Sequence, residues 1–168
     1  FTLSNKIAII CFLFSSAMVP LIMREYSIAS QNNDLKYMRK VFLKYIPLFY
    51  AVSVYISVFV SVQATFIVKI VGGEQYSLAV LPMAIMSLFP IHQTYGQLSN
   101  SLFYAAGRTK LYSKIASTIL LIGVPITFYT VAPKSMNGLE LGATGLAIKM
   151  LIMQIVSVNV FLVYNCRF

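Results

Sequence analysis

Five long apolar stretches, over residues 7–23, 46–68, 75–107, 115–133 and 141–166, alternate with short strips that are in turn rich and poor in Lys and Arg. Inside these stretches only Lys149 carries a full charge. About 20 apolar residues are enough for one helix to cross ~30 Å of hydrocarbon. In that solvent each backbone N–H and C=O must be satisfied within the structure, which a helix does by itself. The pattern therefore predicts an all-α, polytopic transmembrane helix bundle. Its spanning helices are expected at 7–23, 46–68, 76–98, 115–133 and 142–166, with a cytoplasmic basic amphipathic linker over 24–44.

The third stretch is longer than a membrane requires. Pro82 and Pro90 lie within it, and each removes a backbone donor and crowds the preceding turn, so kinks are expected at both. After Pro90 the chain turns polar through His92, Gln93, Thr94, Tyr95, Gln97, Ser99 and Asn100. Gln93, Gln97, Asn100 and Tyr104 share one helical stripe. Amides facing acyl chains are costly, so the stripe is expected either to glue helices together or to line a wet cavity. In the second stretch Ser53, Ser57 and Ser61 recur every four residues, the spacing of a close-packed helix seam in lipid.

The basic residues set an expected orientation. Arg24, Lys36, Arg39, Lys40, Lys44, Arg108, Lys110, Lys114 and Arg167 fall on one side, and Lys6, Lys69 and Lys134 on the other. Short cytoplasmic loops hold the excess of Lys and Arg, so the chain is expected to start outside and end in the cytoplasm. Within the linker, Leu35, Met38, Phe42 and Tyr45 recur at helical spacing opposite Lys36, Lys40 and Lys44. That is the pattern of a topology anchor resting on the lipid surface, or of a headgroup site.

Composition agrees with this picture. The chain has 168 residues, of which 59% are hydrophobic and only 10% charged, with a mean hydropathy of +0.81. Soluble domains carry about 25% charged residues, so a water-soluble globule is excluded. The net charge of +9 is accounted for by topology, and no nucleic-acid partner is expected. Lys6 followed by IAIICFLFSSA has the look of a signal peptide, but the apolar run continues through Met23 and no small-x-small cleavage site stands out. Starting at Phe1 almost inside a helix, the chain is expected to be a piece of a longer protein. Cys11 and Cys166 are expected at opposite membrane faces, too far apart to bridge.

Lys149 is the sharpest chemical signal, because a charge deep in a membrane helix costs ~2.5–3.5 kcal/mol even on insertion scales. It must meet an anionic ligand, pair with an acid, or snorkel outward. None of the five stretches supplies Asp or Glu in its spanning part. His92 could switch protonation near neutral pH or serve as a hydrogen-bonded structural residue. There is no His/Cys ligand set, no intramembrane carboxylate pair and no nucleophile elbow, so neither an enzyme nor a metal or cofactor is expected. A cavity with Lys and amides suits an anionic, polyhydroxylated cargo, and the candidate substrate-binding residues are Lys149, Gln93, Gln97, Asn100 and His92.

The order of several short segments resembles the Wzx-type polysaccharide flippases of the multidrug/oligosaccharidyl-lipid/polysaccharide exporter superfamily. Val19-Pro20 with Arg24-Glu25-Tyr26 closes one span, and a later one ends in the run Lys69-Ile70-Val71-Gly72-Gly73-Glu74. Pro90-Ile91-His92-Gln93-Thr94-Tyr95-Gly96-Gln97 leads on to Tyr104-Ala105-Ala106-Gly107-Arg108. Leu141-Gly142-Ala143-Thr144-Gly145 then opens the last span. The resemblance implies a two-lobed transporter of twelve to fourteen helices, of which this chain is most of the second lobe. It also implies transfer of an undecaprenyl-pyrophosphate-linked oligosaccharide across the bacterial inner membrane for O-antigen, capsule or exopolysaccharide synthesis. The implied partners are that lipid-linked oligosaccharide and membrane lipids, with a polysaccharide polymerase and a chain-length regulator as candidate proteins. Two other readings stay open: a cation-coupled exporter of small molecules and a non-transporting scaffold subunit.

Overall fold

A computed structural model describes residues 2–165, apart from the side chains of residues 2–4, 7, 8, 10, 11, 14 and 15. Cys166, Arg167 and the side chain of Cys11 lie outside the described residues. Seven α-helices follow one another, with no strand among the described residues: α1 Thr2–Gln31, α2 Leu35–Val62, α3 Ala64–Gly72, α4 Val80–Met86, α5 Phe89–Ala105, α6 Thr109–Val131 and α7 Gly142–Asn165. A 3-10 turn over Glu74–Ala79 leads into α4, and a second, Lys134–Met136, lies between α6 and α7. Four helical segments among the described residues are long and apolar enough to cross a membrane: Leu35–Val62, Glu74–Ala105, Thr109–Val131 and Gly142–Asn165. The chain is a multi-pass transmembrane helix bundle.

The first connection is tighter than the linker expected over 24–44. Helix α1 runs on to Gln31, and Asn33 turns the chain with a φ of 51°. Asp34 then caps α2 by accepting a hydrogen bond from the Tyr37 N–H at 2.8 Å. The basic amphipathic pattern is thus the first turns of a 28-residue helix, not a separate surface element. Lys36, Arg39, Lys40 and Lys44 project from it, exposed, while Val41 and Ile46 are buried against α1 and α5.

Both prolines of the third stretch stand in the first turn of a helix. Pro82 is the third residue of α4, and the segment ahead of it, Glu74–Ala79, is a 3-10 turn and not α-helix, the disruption expected on the N-terminal side of a proline. The break falls at Ser87 and Leu88, with Pro90 in the opening turn of α5. The serine stripe of α2 faces this break. Ser53 and Ser57 are buried, Ser53 Oγ donates to the Pro90 carbonyl at 3.2 Å, and Ser61 Oγ donates to the Ala84 carbonyl at 3.0 Å. The span expected over 46–68 is itself divided at Gln63, between α2 and α3.

Helix α5 is the centre of the bundle, packed against α1, α2 and α7. Its buried residues include Thr94, Gly96, Ser99 and Ser101, small enough for neighbouring backbones to approach closely, as lipid-embedded packing requires. Tyr26 of α1, Val41 and Ile46 of α2 and Leu98 of α5 form one core cluster. Phe103, Ile115 and Phe161 form another. These contacts bring the end of α1, the starts of α2 and α6, and the ends of α5 and α7 to one end of the bundle. Arg24, Lys36, Lys40, Arg108 and Lys110 lie on these helix ends, which makes this the basic end of the bundle.

Candidate functional site

Helix α7 packs against both α5 and α6, while α5 and α6 touch each other little beyond the turn that joins them. The space left between these three helices is a cavity of about 410 Å³. Gln93, Gln97 and Asn100 line it from α5, so the amide stripe faces the cavity. Lys149 lines it from α7. Four of the five candidate residues are therefore brought together. His92 is half-buried and outside the lining, because a one-residue step turns it about 100° away from Gln93. Tyr104, the last member of the stripe, is exposed, and its ring meets Tyr112.

The structure adds Gln154 and Ser157 of α7 to the polar lining. Sequence reading missed both. The signal was narrow: Gln154 and Ser157 share a helical line with each other, but Lys149 stands about 140° round the helix from Gln154, and α7 is apolar on its other faces. Asn100 places a buried Oδ1 without a hydrogen-bond partner among the described residues.

The Lys149 side chain reaches across to α6. Its Cε and Nζ lie 3.7 and 3.8 Å from the point where a side chain on Gly123 would begin. Gly123 and Lys149 both sit ~10–12 Å from the helix ends that meet at the α6–α7 connection, at about 1.5 Å rise per residue. The ammonium thus stays near the level of its own backbone, between two helices, and does not snorkel to an end. Nor does it have an acidic partner among the described residues. Glu25 accepts from the Tyr37 hydroxyl at 2.7 Å, Asp34 caps α2, and Glu74 pairs with Lys69 at 2.9 Å. Glu140 stands in the α6–α7 connection with a φ of 52°.

Close helix contacts hold this geometry. A Cβ on Gly96 would lie 2.8 Å from Val158 Cγ2 and 3.4 Å from Gln154 Nε2, so glycine lets α7 approach α5 and sets Gln154 at the cavity. At the far end Leu141 N–H donates to the Thr130 carbonyl at 3.2 Å, and Leu139 N–H to the Tyr129 carbonyl at 2.9 Å. These bonds tie the start of α7 to the end of α6. Among the described residues no three His, Cys, Asp or Glu side chains form a group that could hold a metal ion.

No family model, curated protein or solved structure matches the chain.

Proposed function

We propose that this bundle is part of a membrane transporter of the flippase type, moving an undecaprenyl-pyrophosphate-linked oligosaccharide from the cytoplasmic to the periplasmic leaflet for surface-polysaccharide synthesis. One observation carries the reading: a lysine without an acidic partner shares a membrane-embedded cavity with Gln93, Gln97, Asn100 and Gln154. A cation held in low dielectric without a carboxylate favours an anionic guest, which restores the lost solvation. The amides offer both donors and acceptors to hydroxyl groups. In this reading the pyrophosphate meets Lys149 and sugar hydroxyls meet the amides. Alternating access comes from rigid helices moving about a fixed site, with the Ser87–Leu88 break as a flex point between α4 and α5.

The test is Lys149→Ala in the full-length protein, expressed at the normal level. Loss of surface polysaccharide with accumulation of the lipid-linked repeat on the cytoplasmic leaflet is expected. Unchanged surface polysaccharide removes Lys149 from the mechanism. A drug-efflux defect with intact polysaccharide replaces the reading with a cation-coupled small-molecule exporter.

A further inference from the structure

Four aromatic rings cluster at one end of the cavity. Phe103 and Tyr104 come from the end of α5, Tyr112 from the first turn of α6, and Phe161 from the last third of α7. Tyr112 stacks on Phe161 with centroids 5.0 Å apart and planes at 19°. Phe103 meets Phe161 edge-on at 5.6 Å, and Tyr104 lies 5.0 Å from Tyr112. Phe103 and Phe161 are buried. The faces of Tyr112 and Phe161 are spent on each other. Tyr112 and Phe161 line the cavity, and no residue nearer the basic end does.

We infer that this ring cluster is a gate between the cavity and the basic face of the membrane, and that it parts between Tyr112 and Phe161. The turn Ala106–Arg108 joining α5 to α6 is short, with Gly107 at a φ of 68°. Phe103, Tyr104 and Tyr112 therefore travel together as one hairpin, and Phe161 is the ring of the four that belongs to the other helix. The seam is also fastened by a polar contact. Asn165 Nδ2 donates to the Ser99 carbonyl at 3.1 Å, buried. Ser99 Oγ and Asn165 Oδ1, by contrast, are buried with no partner among the described residues. Opening the seam admits water to those two atoms, so the open arrangement regains polar contacts that the closed one lacks. Two packings of similar free energy are what a moving gate needs.

The inference rests on reading the cavity as a solute path, and its test therefore measures access instead of export. The full-length protein, with Cys11 and Cys166 replaced by alanine, carries Ala116→Cys, one helical turn into the cavity from Tyr112. A membrane-impermeant maleimide is applied to the face at which a Lys40→Cys marker reacts. Labelling at position 116 is slow with the rings intact. It rises about tenfold in Tyr112→Ala and stays within about twofold in Tyr112→Phe, the scale set by losing or keeping stacked aromatic pairs. Phe161→Leu retains an apolar side chain and gives the same rise even where Tyr112→Ala fails to fold. Fast labelling with the rings intact overturns the gate, as does an unchanged rate in folded Phe161→Leu. If Lys149→Ala exports normally while ring loss still speeds labelling, the gate stands and the flippase reading falls.

Discussion

The ammonium of Lys149 sits 3.8 Å from where a side chain on Gly123 would begin, so a residue with no side chain decides where the cation of α7 can rest. Gly123→Ala puts a methyl group at ordinary contact distance and is expected to be tolerated. Gly123→Leu drives the ammonium out of the cleft. On the flippase reading proposed above, export is expected to fall about tenfold or more, as in Lys149→Gln, the size of losing one charge-assisted hydrogen bond of ~1.5–3 kcal/mol. Surface polysaccharide measured at matched expression checks this. Normal export by Gly123→Leu places the working position of the ammonium elsewhere.

Neighbours on α5 separate the cavity face from the rest. Gln97 lines the cavity and His92 does not. Gln97→Leu keeps the side-chain size and removes donor and acceptor, so on the same reading export is expected to drop. His92→Gln is expected to leave it within about twofold, the ordinary scatter of a substitution that touches nothing essential. Equal losses from both would mean that the lining, as described, does not define the cargo's path.

Gly96 offers a packing test independent of cargo. Alanine there meets Val158 Cγ2 at 2.8 Å and is expected to lower stability by about 1–3 kcal/mol, the usual range for overpacking. Val158→Ala removes the obstructing methyl groups. The double variant should recover much of the loss, giving non-additive shifts in thermal unfolding of the detergent-solubilised protein. Additive losses would show that α5 and α7 do not meet through this pair.

Two serines one turn apart should behave oppositely. Ser53 Oγ lies 3.0 Å from Thr94 Oγ1 and also reaches the Pro90 carbonyl, whereas Ser57 Oγ is buried without a partner among the described residues. Ser53→Ala is expected to cost about 0.5–1.5 kcal/mol, the net worth of a typical hydrogen bond. Ser57→Ala is expected to be neutral or stabilising, because it deletes an unsatisfied buried hydroxyl. The same melting measurement tests both, and a larger loss at Ser57 would contradict the packing described.

Some of this molecule was written in one dimension. Apolar runs of membrane length dictate spanning helices, because only local hydrogen bonding satisfies a backbone in lipid, and the spacing of Gln93, Gln97 and Asn100 dictates that they share a face. Lys36, Lys40, Arg108 and Lys110 come to one end because the helices that carry them pack end by end. What the chain order left open was which surfaces meet. Whether an amide stripe glues helices or lines a cavity depends on where α6 and α7 lie. That is decided by contacts such as Gly96 on Val158 and Leu141 on Thr130, between residues far apart in sequence or across a turn. Pro82 and Pro90 made the same point: both stand in the opening turn of a helix, each after a segment that is not α-helix, Glu74–Ala79 and residues 87–88, and nothing in the spacing of the chain gives where those helices begin. Periodicity is a property of one helix, whereas a cavity exists only where three helices fail to fill the space between them.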